Sequence, residues 1–324
     1  MNTDNFDLIE KNEFNKNANG GTELMQRRLY SSLPRELLEK FQITASRPSD
    51  LKDGMKHILW AHDLAEDPAV RFLADPAEHS KYDKFVFVSN QQMHQFNQVL
   101  GIPFNRAVVI ENGITPIDFN EVEKKLKDFK EGDTINIVYT PTPHRGLAIL
   151  LPVFEELAKK YSNIHLHVFS SFKLYGWAER DAEYTALFNR CKDHKQITYH
   201  GTVTNKELMH FLATEAHVFA YPSIWQETSC LCLIEAMSAG LVAVHPNYAA
   251  LPETSGGLTA MYQWDEDLQE HARAFSTVLE TVIESYSSEF FPYIARNKTY
   301  ADSKYNWDML KYKWEALLTT LSAT

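Results

Sequence analysis

The sequence is poor in cysteine, in basic charge and in long apolar runs. Its 324 residues hold three cysteines, at 191, 230 and 232. A small odd number speaks against a disulfide framework and for a reducing compartment. Lys and Arg total 32 against 43 Asp and Glu, a net charge of −11. So acidic a chain is a poor electrostatic match for a nucleic-acid backbone, although a local basic groove is compatible with that total. Over the first 60 residues the two signs balance, which leaves no basic arm and no anchor for acidic lipid. No run reaches the roughly 18 apolar residues that a transmembrane helix needs. The opening "MNTDNFDLIEKNEF" is polar and acidic, unlike a secretory leader, so a cytoplasmic protein is expected. No G-x-G-x-x-G follows a strand signal, which argues against an NAD-type dehydrogenase.

What is present is a hydrophobic content of 44%, enough for a sizeable core, in a length that suits two domains. Nine short apolar runs recur: "FQITAS", "HILWAHD", "KFVFVSN", "AVVIENG", "INIVYTP", "IHLHVFSS", "ITYHGT", "AHVFAYPS" and "LVAVHP". Continuous apolar runs are the mark of strands buried on both faces of a parallel sheet. Helical patterns such as "GTELMQRRLYSSL", "GLAILLPVFEELAKKY" and "NKELMHFLATEA" lie between them, so the chain reads as α/β with right-handed crossovers. The charged segment "FNEVEKKLKDFKEGDT", which ends at the turn Gly132-Asp133, is the linker candidate and can carry a short surface helix, with a boundary near 132. Four or five strands are expected before it and about five after. From Asp265 onward the pattern is helical and rich in aromatics.

The stretch "WQETSCLCLIEAMSAG" places Glu227 and Glu235 in otherwise uncharged sequence. Pro222 closes a strand, Thr228 or Ser229 can cap a helix, and Gly240 can end it. Glu227 then lies in the loop and Glu235 about two turns inside the helix. Along one continuous helix, eight residues would turn the two side chains roughly 80° apart. Loop plus helix instead lets both face the crevice beyond the strand ends while gripping different parts of one ligand. Between them the N–H groups of Thr228 to Leu231 suit a phosphate. Carboxylates flanking a phosphate site match the layout of a nucleotide sugar, with ribose, diphosphate and hexose in a row. Arg145 and Gly146, in a turn opening a helix, are placed for the diphosphate. Gly20 and Gly21 precede another helix and would let backbone approach a ligand. His165 and His167 alternate on a strand without a compact ligand set, and "CLC" at 230–232 lacks zinc-site spacing, so no metal is expected.

Together these residues resemble the retaining glycosyltransferases of the GT-B type (glycosyltransferase family 4-like), which carry an E-x7-E motif. The family's motif is similar to Glu227 through "EAMSAG", its glycine loop to "NGGTE", its R/K-G-L segment to "HRGLAILL", and its "PNG" segment to "IENGITPIDF". The resemblance spans about residues 18 to 320 and is strongest from 135 to 255. It implies two Rossmann-like domains with parallel sheets facing a central cleft, and a C-terminal helix crossing back to the first domain. On that basis the domains are 1–132 plus 303–324, for the acceptor, and 133–302, for the nucleotide sugar. It further implies Glu227 at the donor sugar, Glu235 at the ribose, the backbone of Thr228, Ser229 and Cys230 at sugar and phosphate, and Arg145 at the diphosphate. The family's second basic residue is replaced here by Tyr139-Thr140, and Lys173 is a candidate substitute. His62, with Asp63 beside it, matches a histidine near the transferred sugar. Ser89 and Asn90 are candidates to line the cleft.

The reaction implied is transfer from a nucleoside diphosphate sugar to a hydroxyl-bearing acceptor, metal-independent and with no cofactor beyond the donor. The acceptor stays open between glycan, lipid-linked, protein and small-molecule classes. A DNA acceptor, as in phage enzymes that glycosylate hydroxymethylated cytosine, stands as an alternative. So do a non-catalytic nucleotide-sugar-binding protein and an epimerase of similar fold.

Overall fold

A computed structural model describes residues 3–9, 20–47 and 50–323. They form two compact units, Met1–Thr115 with Tyr305–Thr324, and Pro116–Lys304.

The first unit holds β1 (Phe41–Ala45), β2 (Lys56–Ala61), β3 (Lys84–Phe87) and β4 (Ala107–Val109), all parallel and in that order across the sheet. The side chains of β1 and most of β2 and β3 are buried on both faces, as continuous apolar runs require, while β4 at the sheet edge is only partly buried; Leu59, Phe85, Phe87 and Phe96 fill one core. The Asn90–Leu100 helix starts where Ser89 accepts from Gln92 N–H and stops at Gly101, which is left-handed at φ 71°. The chain returns to this unit through the Trp307–Ser322 helix, which packs on the Gly21–Ser32 helix. Ile114 N–H donates to Tyr305 O, Trp307 N–H donates back to Ile114 O, and the Trp307 indole donates to Ser32 Oγ. Trp314 is fully buried and meets Trp60 edge-on at 4.7 Å.

The second unit holds β5 (Ile135–Tyr139), β6 (Ile164–Val168), β7 (Ile197–Tyr199), β8 (Val218–Ala220), β9 (Val242–Pro246) and β10 (Ala260–Tyr262). All are parallel, in the order β10-β9-β8-β5-β6-β7. The first strand lies inside and the chain winds outward both ways, which is the order of dinucleotide-binding folds. The reversal falls between β5 and β8. All nine apolar runs are strands. The tenth, β10, escaped the sequence because it is three residues long, lies at the sheet edge and is only partly buried.

The boundary expected at 132 falls inside the second unit. The segment taken for a linker contains the Phe119–Asp128 helix, which buries Val122, Lys125 and Leu126. Lys125 Nζ donates to Leu212 O and Ala239 O, at 2.9 and 3.0 Å. Its other charged residues lie towards the outer face and mask a narrow apolar stripe, so composition suggested a linker with a short surface helix where packing makes a docked one.

Two outcomes follow from this packing. Trp314→Ala removes the largest buried contact of the returning helix and is expected to lower unfolding free energy by about 3–5 kcal/mol in urea titration. Burial, and then Lys298 nearby, push the Lys125 amine from its ordinary 10.5 down to about 7. Between those values the unfolded chain binds a proton that the folded chain lacks, so stability rises with pH across that window. Lys125→Met should flatten the rise, read as the difference between the two proteins' stability curves from pH 7 to 10.

Candidate functional site

The carboxyl ends of β5 and β8 flank the point where strand order reverses, the place where open α/β sheets bind ligands. From Tyr139 the chain enters the tight turn Pro143–Arg145, passes Gly146 and begins the Leu147–Lys160 helix. From Ala220 it runs as loop to Cys230, then forms the Leu231–Ser238 helix. The two turns fit closely at Gly146. Its φ is +140°, and a Cβ there would collide with Pro222 O, a backbone atom with no room to yield. Ile224 N–H donates to Arg145 O, tying the loops together.

This fit brings Arg145 to Glu227. Arg145 Nη1 donates to Glu227 Oε1 at 2.6 Å, and the Tyr221 hydroxyl donates to the same oxygen at 2.5 Å. Glu227 is 5% exposed and the Arg145 side chain 23%, so the pair is largely removed from water. Burial opposes the guanidinium charge, but Glu227, with Tyr175 and Tyr221, outweighs it and holds the Arg145 pKa well above its usual value. Burial, reinforced by Glu227, holds the Tyr221 hydroxyl protonated well above the ordinary tyrosine range.

Next to the pair, burial and the cations Arg145 and Arg180 push His144 down to about 4, so its ring is neutral near pH 7. That ring stacks on Phe172 at 5.2 Å and meets Trp225 edge-on at 4.8 Å, while the Arg145 guanidinium sits 5.6 Å from the Trp225 ring centre. Thr142 Oγ1, His144 Nδ1 and Arg145 Nε are buried with no hydrogen-bond partner in the protein. Three such atoms in one turn are a local exception to the rule that buried polar groups are paired.

Glu235 is also buried, 7% exposed, with Asn205 Nδ2 at a long 3.5 Å from Oε1. Three expectations need correction here. The helix begins at Leu231 with Cys230 as its cap residue, so neither Thr228 nor Ser229 caps it. Its first internal bond is Ile234 N–H to Cys230 O, which puts the N–H groups without a helical partner at Leu231 to Leu233, while Thr228 and Ser229 stay in the approach loop. Glu235 is the fifth helical residue, a little over one turn inside rather than two. Loop polarity gave the early start, but the chain bends at Thr228 and Ser229 and is extended at Cys230 before the helix begins, after Ala250 N–H has bonded Glu227 O.

The remaining candidates lie as follows. Lys173 is exposed on the Phe172–Tyr175 turn, and the second cation bearing on His144 is instead Arg180, 4.4 Å from the Phe172 ring centre. Gly20 caps the Gly21–Ser32 helix at φ −66°, an angle any residue adopts, so the glycine pair is not required by backbone conformation; Asn17 to Asn19 before it lie outside the described residues. His62 and Asp63 follow β2 at its carboxyl end in the first unit. Burial lowers His62 to about 3, so its ring is neutral. Ser89 caps the Asn90–Leu100 helix, and Gln92 Nε2 donates to Asp63 O. Sequence reading missed Tyr221, His144, Trp225 and Arg180. Tyr221 ends an apolar run and passed for core. Among the described residues no group of three His, Cys, Asp or Glu is placed to hold a metal ion, and no helix is long and apolar enough to cross a membrane.

The two parallel-sheet α/β units give the chain a fold similar to that of the GT-B glycosyltransferases. More narrowly, residues 136–281, which contain Arg145, Glu227 and Glu235, match the family described as Glycosyl transferases group 1. One component of human phosphatidylinositol N-acetylglucosaminyltransferase is 26% identical over 161 residues, 48% of this chain and 31% of that protein, so the chain spans less than a third of this curated relative. A glycosyltransferase from Rickettsia africae ESF-5 matches 95% of this chain and 84% of its own, with a TM-score of 0.64 at 13% identity. Anabaena Alr3699/HepE, solved in complex with UDP and glucose, matches 82% of this chain and 72% of its own, with a TM-score of 0.62 at 14% identity.

Arg145→Ala should leave the Glu227 carboxylate buried without its cation and cost about 3–5 kcal/mol in chemical unfolding. Arg145→Ala/Glu227→Gln should recover most of that loss; an equal loss in single and double variants would mean that the pair does not couple.

Proposed function

We propose that the protein is a retaining glycosyltransferase that moves a sugar from a nucleoside diphosphate sugar to an acceptor hydroxyl. The observation that carries this reading is the meeting of Arg145 and Glu227 at the strand-order reversal, beside the start of the Leu231–Ser238 helix. Arg145 and the N–H groups at that helix start would take the diphosphate and stabilise the charge that grows on it as the glycosidic bond breaks. Glu235 would hold the ribose diol, and Glu227 the sugar hydroxyls, with the Thr228, Ser229 and Cys230 backbone beside it. The donor's charge is met by protein groups, and the reading needs no metal.

Retention through a covalent adduct calls for a carboxylate free to attack the anomeric carbon. Glu227 Oε1 is engaged by two donors, which favours a front-face route in which the leaving phosphate takes the acceptor proton. His62, neutral at the end of β2, keeps the sugar-side role that the resemblance implies, and His62→Ala is the variant that tests it. The acceptor is to be found by assay. The curated relative's name describes transfer to phosphatidylinositol, which makes lipid-linked acceptors one arm of a panel with glycans and small hydroxyl compounds.

UDP, named with Anabaena HepE, is the first probe. A ligand of the folded state at about 100 times its Kd adds about 2.7 kcal/mol of apparent stability. UDP should therefore raise the wild-type melting temperature, and Arg145→Ala and Glu235→Ala should lose most of that rise. Glu227→Ala should keep the rise but lose turnover of UDP-glucose or UDP-N-acetylglucosamine. Full activity in both glutamate variants would overturn the site.

A further inference from the structure

We propose that Tyr221 is a positioning residue that holds the Glu227 carboxylate in place while Arg145 turns from Glu227 to the donor's diphosphate. This rests on the donor reading above and adds a step to it. Arg145 has two claims upon it. It neutralises a buried carboxylate, and it is the basic side chain of the turn that would meet the phosphates. Its Nε, already without a partner, is a donor available for the second task. As the guanidinium is drawn towards phosphate oxygens, Glu227 loses its counter-charge. A buried carboxylate without a donor takes up a proton or leaves its position.

The Tyr221 hydroxyl is the donor that stays. Tyr221 directly follows β8, is 0% exposed, and has the Tyr139 and Phe219 rings at 6.2 and 5.7 Å. Its backbone N–H is bonded to Val244 O of β9, so sheet and core hold it independently of Arg145. Both donors converge on Oε1, so the exchange leaves Glu227 with one hydrogen bond in an unchanged direction. Tyr221 acts through Glu227 and needs no contact with the sugar.

The test uses the whole chain, with UDP binding and UDP release from UDP-glucose as readouts, on Tyr221→Phe, Glu227→Gln, the double variant and Tyr262→Phe. Tyr262, whose hydroxyl pairs with His271 at the far edge of the sheet, controls for loss of a buried phenol. Tyr221→Phe should lower kcat about ten-fold or more with KM and the UDP-induced thermal shift within about two-fold, and should add nothing to the loss in Glu227→Gln. Turnover equal to that of Tyr262→Phe, or a fully additive loss in the double variant, would overturn the proposal. If neither UDP nor UDP-glucose affects the wild type, the donor reading is what fails. Coupling between Tyr221→Phe and Glu227→Gln in thermal unfolding then decides the hydroxyl's part, and zero coupling would overturn it.

Discussion

A carboxylate buried at the end of one strand has to find its counter-charge, and for Glu227 that charge comes from the turn after another strand. The need explains several features of the second unit. Gly146 has to be glycine so that the Arg145 turn can close onto Pro222. Ile224 N–H has to meet Arg145 O so that the loop carrying Glu227 keeps its course. Tyr221 has to present a hydroxyl where an apolar side chain would serve the core equally well. The result is a compact charged centre at the reversal of strand order, with orphaned polar atoms beside it.

The Leu231–Ser238 helix, which carries Glu235, is held with similar care at its other end. It stops at Gly240, left-handed at φ 70°, where a Cβ would collide with Val122 of the Phe119–Asp128 helix. Lys298 Nζ donates to Ser238 O at 2.7 Å, placing a cation at the negative end of the helix dipole, and pairs with Asp302 at 2.8 Å. The Phe291–Lys304 helix therefore clamps the Leu231–Ser238 helix, while Trp307 and Trp314, just after it in sequence, pack into the first unit. The aromatic tail contributes to both units in turn.

Much of this was legible in the sequence because it is local. Continuous apolar runs mark nine of the ten strands, and Gly240 marks the end of the helix that carries Glu235. "HRGLAILL" shows Arg145 in a turn that opens a helix. What failed was local too, where two signals competed. Polar residues before Leu231 suggested an earlier helix start, and charges on the Phe119–Asp128 helix hid the face that docks it.

Sequence alone determined the parallel α/β character, the residue types at the candidate site, and the spacing that puts Glu227 in a loop and Glu235 on a helix. Tertiary structure decided their partners. Arg145 and Glu227 stand 82 residues apart, and nothing in either neighbourhood specifies the other. They meet because β5 and β8 lie side by side in the sheet. The same adjacency decides that Tyr221, one more apolar position by pattern, gives its hydroxyl to a carboxylate: a pattern records burial, while a hydrogen bond depends on which strand lies next door.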